Sequence, residues 1–447
     1  MKSLVRMSKF VAVAFIAILA GGLVWVYVAS PALLRVGAGY AAKIVCSNVF
    51  IAGRDPDEVL AVDVQAPGHP LLKLMDVDVD REQRRVRAAL LGFLAANEAV
   101  YREGLGCTVV PNDELVQVAL PAGDAVSQAA GAPWPLGGAV EHDQDVERLL
   151  SDAGLTGPGM RAVVVVRDGR IVGEAYGRGF SAHTPLLGWS ITKTVNAALI
   201  GRLIQEGRIR LGDRALLPQW QGDPRAEITL ADLLAMQDGL AFNENYGSVT
   251  DVTRMLYLEP DMAEFAADAP PVAEPGSAFN YSSGTAVLLS RIWMDRLGGP
   301  DAALAYPHQA LFQPLGMDSA VLEADARGTF VGSSYMYATA QDWARFALFL
   351  LRDGVWNGER LLPERFVGMM SEPNRHSGGR YSRMQTWLGG GGDSELPPDT
   401  FFLSGHDGQS IAVIPSLDTA VVRLGLTPRR DGYEVTPLVR EVVKLSR

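Results

Sequence analysis

Ser190 and Lys193 lie three residues apart in the stretch Gly188-Trp189-Ser190-Ile191-Thr192-Lys193-Thr194. A hydroxyl becomes a nucleophile when a neighbouring base takes its proton, and a serine–lysine pair is one arrangement that achieves this. Residues i and i+3 share a helix face, so the spacing aims hydroxyl and amine the same way. Lysine usage sharpens the reading. The chain has six lysines against 34 arginines, and between Lys73 and Lys444 the only lysine is Lys193. Arginine cannot release its proton in a protein, whereas a desolvated lysine can. No other serine is followed by lysine at the third position. The structural alternative is a solvated helix lysine one turn behind a capping serine.

The elements that must hold this pair are readable on either side of it. Ile191, Val195, Ala198, Leu199, Leu203 and Ile204 form the apolar stripe of a helix, with Gly207 as its stop. Just before it, residues 161–167 and 170–176 predict a hairpin over the two-residue turn Asp168-Gly169. Near the other end, 410–414 and 419–425 predict a second hairpin, and Thr436 (cap) and Pro437 open a final amphipathic helix. Residues 208–325 read as mostly helical, with a short capped helix at 229–236, and 339–351 reads as another capped helix. The expected class is α+β: one antiparallel sheet flanked by helices with a helical lobe inserted, over 140–447. A serine where sheet and lobe meet would sit in a cleft.

The formal charge is −11, and an acidic body argues against nucleic acid as partner. The first 30 residues instead carry three basic side chains and no acid. Residues 1–9 read as a basic cytoplasmic segment. Residues 10–28 are uncharged for long enough to span a bilayer and predict a transmembrane anchor. That places the protein at the inner membrane with its catalytic domain on the periplasmic side. Cleavage is the alternative, after 28–30, where Pro31 disfavours it, or after 36–38. Residues 31–130 read as a connector (31–60) and a small accessory module. Alternation over 73–80 predicts a strand, 84–101 fits helix or strands, and 104–110 turns into a strand. A Gly/Pro/Ala-rich stretch at 121–138 separates this module from the rest. Cys46 and Cys107 are the only cysteines, and outside the cytoplasm an even pair predicts a disulfide. Two cysteines without clustered histidines make no zinc site, and no metal or cofactor is called for.

Two further phrases complete a constellation with Ser190-x-x-Lys193. They are Tyr281-Ser282-Ser283-Gly284 and Gly405-His406-Asp407-Gly408-Gln409. The order and spacing resemble the class C β-lactamase and serine hydrolase superfamily. Trp189-Ser190 and the phrase at 233–240 are similar to its 6-aminohexanoate-dimer hydrolase group. The resemblance covers roughly 140–447. It implies a β-lactamase/transpeptidase-like fold in which Ser190 attacks a carbonyl. Lys193 takes the proton directly or keeps Tyr281 ionised, and Tyr281 passes a proton to the leaving group. The backbone N–H groups of Ser190 and Gln409 form the oxyanion hole. Ser283 stands where the family often has Asn, and His406 where β-lactamases carry the Lys of Lys-Thr-Gly. Ser283, His406, Gly408, Asn243 and Glu244 are the expected substrate contacts; for the loop carrying the last two, a solvated surface is the competing account.

His406-Asp407 invites a Ser-His-Asp reading, but neighbours on a strand point to opposite faces, so Asp407 is not expected to orient His406. There is no Gly-x-Ser-x-Gly elbow, since Thr192 holds the second glycine position. The expected function is therefore a membrane-anchored serine hydrolase forming an acyl-enzyme with a small amide or ester. The alternatives are β-lactamase or D-alanyl-D-alanine carboxypeptidase activity, or a catalytically silent member that binds peptidoglycan or a partner.

Overall fold

Strand Met160–Arg167 is apolar on both faces because each face meets a helix. Val163 and Val165 pack with Leu438, Val439 and Val442 of the C-terminal helix Thr436–Leu445. Ala162, Val164 and Val166 turn the other way, toward Ala344 and Leu348 of helix Ala340–Leu351. A strand buried on both sides loses its polar alternation, hence the run of four valines. The computed structural model describes residues 7, 9–17, 21–22, 29–111, 115–116, 131–389 and 395–446.

This strand lies inside a six-stranded antiparallel sheet. The order is Trp387–Leu388, Phe401–Gly405, Gln409–Ile414, Thr419–Gly425, Met160–Arg167, Arg170–Tyr176. Thr419–Gly425 pairs directly with Met160–Arg167, so segments far apart in sequence meet at the sheet centre. The Asp168-Gly169 turn has positive φ at both residues, as a two-residue hairpin requires. The helical lobe, inserted between Arg170–Tyr176 and the later strands, includes Thr192–Gln205 and Ser283–Asp295, which pack on each other. Thr229 caps Leu230–Leu234 with a full capping box, and Thr339 caps Ala340–Leu351. At the last helix Thr436 is the first helical residue rather than the cap, because Val435 already has helical φ and ψ.

The N-terminal region differs more from expectation. Residues 32–50 are not a connector but a 19-residue helix, Ala32–Phe50, twelve of whose residues are buried. It lies on a four-stranded antiparallel sheet, Met75–Asp80, Arg85–Leu90, Leu94–Arg102 and Gly106–Val109, paired in chain order. The undecided stretch 84–101 is thus two strands. Cys46 on the helix and Cys107 on the last strand are joined, with Cα atoms 6.0 Å apart. Lys43 of the same helix reaches out of the module. Its Nζ lies 2.5 Å from Glu323 Oε2, and Glu323 Oε1 accepts from Ser47 Oγ and the Cys107 N–H.

The membrane anchor is not supported. Among the described residues no helix is long and apolar enough to cross a membrane. Of the expected span 10–28, residues 10–17 and 21–22 are helical, and 18–20 and 23–28 lie outside the described residues. The single-pass inner-membrane location rested on that span and falls with it.

Candidate active site

The turn that carries Ser190 is held in a costly shape. Trp189 has φ +48°, and a non-glycine residue in that region costs about 1–2 kcal/mol. Packing holds it there: the indole sits 6.0 Å from the Tyr335 ring and 5.5 Å from His406, centroid to centroid. Ser190 follows on a single 3₁₀ turn, Trp189–Ile191, that runs into helix Thr192–Gln205. Gly405 lets the sheet approach this turn. A Cβ there would lie 2.3 Å from the Gly188 carbonyl oxygen, so only glycine brings strand Phe401–Gly405 so close.

Lys193 is 1 % exposed, and three oxygens surround its Nζ. They are Ser190 Oγ at 3.1 Å, Ser283 Oγ at 3.1 Å and the Ser333 carbonyl at 3.0 Å. Burial pushes the ammonium down to about 8, against an upward pull from Glu244. The Tyr281 ring lies 4.8 Å from the same Nζ. Burial holds the Tyr281 phenol above its ordinary range, the Glu244 charge adds to this, and a hydrogen bond with Ser190 opposes it. Tyr381 and Trp387 pack around the Tyr281 ring at 5.7 and 5.2 Å.

Glu244 closes the network. Its Oε1 accepts from Ser283 Oγ at 2.5 Å and its Oε2 from the Ser283 N–H at 2.7 Å. Burial raises this carboxyl and Lys193 lowers it. The loop is anchored by Asp238, which accepts from Thr285 Oγ1 and from the Leu240 N–H. Ser333, whose backbone oxygen meets Lys193, was not foreseen, because a carbonyl contact carries no side-chain signature. The nearest signal is Gly332, where a Cβ would come within 2.5 Å of Asn196 and Ser290.

Residues 150–443 match the Beta-lactamase family. The chain belongs to that family. It is a serine hydrolase whose relatives act on amide or ester bonds. A 6-aminohexanoate-dimer hydrolase of Paenarthrobacter ureafaciens is 25% identical over 299 residues, 60% of this chain and 73% of that protein. Two solved structures share the fold. A Bacillus anthracis chain provisionally assigned as a 6-aminohexanoate-dimer hydrolase is 22% identical with a TM-score of 0.55, covering 75% of this chain and 88% of its own. A penicillin-binding protein from Bacillus halodurans is 18% identical with a TM-score of 0.52, covering 67% and 99%.

The remaining expected residues of this Beta-lactamase-family chain divide. Gln409 opens strand Gln409–Ile414, and its side chain bonds the Gly425 carbonyl and N–H, tying two strands together. Gly408 lies in the turn against Arg423, at φ +82°. Asn243 is exposed and turned into its own loop, where its Oδ1 accepts from the Asn245 N–H. It is not brought to the nucleophile. His406 stacks on Tyr246 at 5.0 Å. Asp407, not expected to orient His406, is placed beside it: the two share a 3₁₀ turn rather than a strand, Asp407 has φ +56°, and its Oδ1 is 3.4 Å from His406 Nε2. The amine beside Ser190 Oγ is nevertheless that of Lys193, at 3.1 Å.

Proposed function

We propose that this enzyme cleaves a small amide or ester through an acyl-enzyme on Ser190, with Lys193 as general base. The observation that carries this is a buried amine, pushed down to about 8, within 3.1 Å of the hydroxyl. Ser190 Oγ attacks the carbonyl carbon as its proton passes to Lys193 Nζ. The N–H groups of Ser190 and Gln409 receive the oxyanion. Collapse breaks the bond to the leaving group, which takes a proton from the Tyr281 hydroxyl, and Lys193 returns one to Tyr281. Water then repeats the sequence on the ester. The raised Tyr281 phenol supports its role as a neutral proton donor over that of an ionised base. Ser283 and Glu244 orient Lys193 rather than bind substrate.

The substrate class follows from the third element. A β-lactam carries a carboxylate beside its scissile bond, and a fixed cation helps to hold it. His406 stands in that place here, stacked on Tyr246 with Asp407 Oδ1 3.4 Å from its Nε2, so a carboxyl group already faces the ring where a substrate carboxylate would bind. The reading therefore favours esters and linear amides over β-lactams, in keeping with the amide-cleaving name of the Paenarthrobacter relative. The test compares p-nitrophenyl butyrate with a chromogenic cephalosporin on wild type and Ser190→Ala. Ester turnover above cephalosporin turnover by about tenfold or more is expected, lost in the alanine variant. Dominant, Ser190-dependent cephalosporin hydrolysis would overturn the assignment.

A further inference from the structure

A cavity of about 350 Å³ lies between the N-terminal module and the hydrolase domain. One wall is Leu33 and Val36 of helix Ala32–Phe50, with Leu72 and Met75 from the segment that enters the small sheet. The facing wall is Trp189, Tyr246 and His406. The size is that of a pocket for a small organic ligand; most of the walls are aliphatic and aromatic, with Asp407, Arg429 and Arg430 on the hydrolase side. Two facts tie it to catalysis. Trp189 is covalently next to the nucleophile, and its ring is one edge of the cavity. The aliphatic wall comes from residues 33–75, before the stretch 150–443 that the family matches.

Direction follows from the chemistry. Tyr281, the proposed donor to the leaving group, is packed by Tyr381 and Trp387, neither of which lines the cavity. The cavity is instead lined by Trp189, the residue that precedes Ser190, and by His406, whose rings lie 5.5 Å apart. A carbonyl held at Ser190 with its leaving group toward Tyr281 therefore sends its acyl part toward this cavity. We infer that the cavity binds the apolar acyl chain of the substrate, so that the N-terminal module sets a preference for medium-chain acyl esters or amides. The inference rests on Ser190 being the nucleophile.

The test measures kcat/KM for p-nitrophenyl acetate and p-nitrophenyl octanoate on wild type, Leu33→Trp and Leu71→Trp. Both leucines are only half-buried cavity residues, so the added rings fill the space with little demand on the core. The expected octanoate-to-acetate ratio exceeds one in wild type and falls about tenfold in each variant, as loss of apolar contact with a chain predicts. A ratio unmoved by both substitutions overturns the proposal. Absence of any Ser190-dependent ester turnover would instead remove the nucleophile assignment. The cavity is then judged by binding alone, as displacement of 1-anilinonaphthalene-8-sulfonate by octanoate from Ser190→Ala protein. Displacement weakened by adding Leu33→Trp supports the site, and displacement that is absent or indifferent to that change overturns it.

Discussion

Lys193 is suited to be a base because its ammonium has lost water and gained only one nearby negative charge. Burial lowers it to about 8, and Glu244 keeps it from falling further. Activity that needs the neutral amine should rise with pH, be half-maximal near about 8, and fall away below. Glu244→Gln removes the charge that pulls Lys193 up. The acid limb of the kcat/KM profile should then move to lower pH, and an unmoved limb would mean that another group controls it. Lys193→Arg keeps the charge but supplies no proton acceptor. It should cost several kcal/mol in barrier, roughly 10³-fold in rate, while near-normal turnover would make Lys193 structural. Ser190 and Lys193 were legible because a chain that writes arginine nearly everywhere kept one amine at helical spacing from a serine. Glu244 was harder to tell from its neighbours, because its partner Ser283 lies 39 residues away. Nothing local separates it from Asn243, which the fold turns outward.

Helix Ala32–Phe50 shows why an element can escape a sequence reading. A surface helix declares itself by a polar face, but this one is buried nearly all round, by the small sheet, by Tyr257 and by Glu323. Its glycines and alanines then resemble a linker. The hairpins were easier, since alternation or a valine run bounded by Asp168-Gly169 has few other solutions. The membrane span rested on a count of uncharged residues alone, and among the described residues no helix is long and apolar enough to cross a membrane. Lys43 makes the helix's role measurable. Its buried pair with Glu323 ties the N-terminal module to the segment that carries Ser333 to Lys193. Removing one partner of such a pair leaves an uncompensated charge, so Lys43→Met should destabilise the protein by about 3–5 kcal/mol in denaturant unfolding. An unchanged midpoint would show that Glu323 is satisfied without it.

At the scale of the whole molecule the N-terminal module and the hydrolase domain share one core. Val36, Ala41 and Val45 belong to the same buried cluster as Val195, Leu288 and Leu348. Arg102 of the small sheet bonds the Ala324 and Asp325 carbonyls of the lobe. Read from sequence, residues 31–130 are a connector and a small accessory module; in the fold they supply one wall of the cavity that Trp189 also lines. That closeness was out of reach because it depends on which surfaces meet, and neither surface carries a motif. The proposed mechanism turns on the Ser190 hydroxyl, so the most direct measurement is covalent. The folded protein is treated with a fluorophosphonate, digested and mapped by mass spectrometry. The account predicts a single adduct on Ser190, formed faster as pH rises through about 8 and absent in Ser190→Ala. An adduct on another residue, or none on fully folded protein, would contradict it.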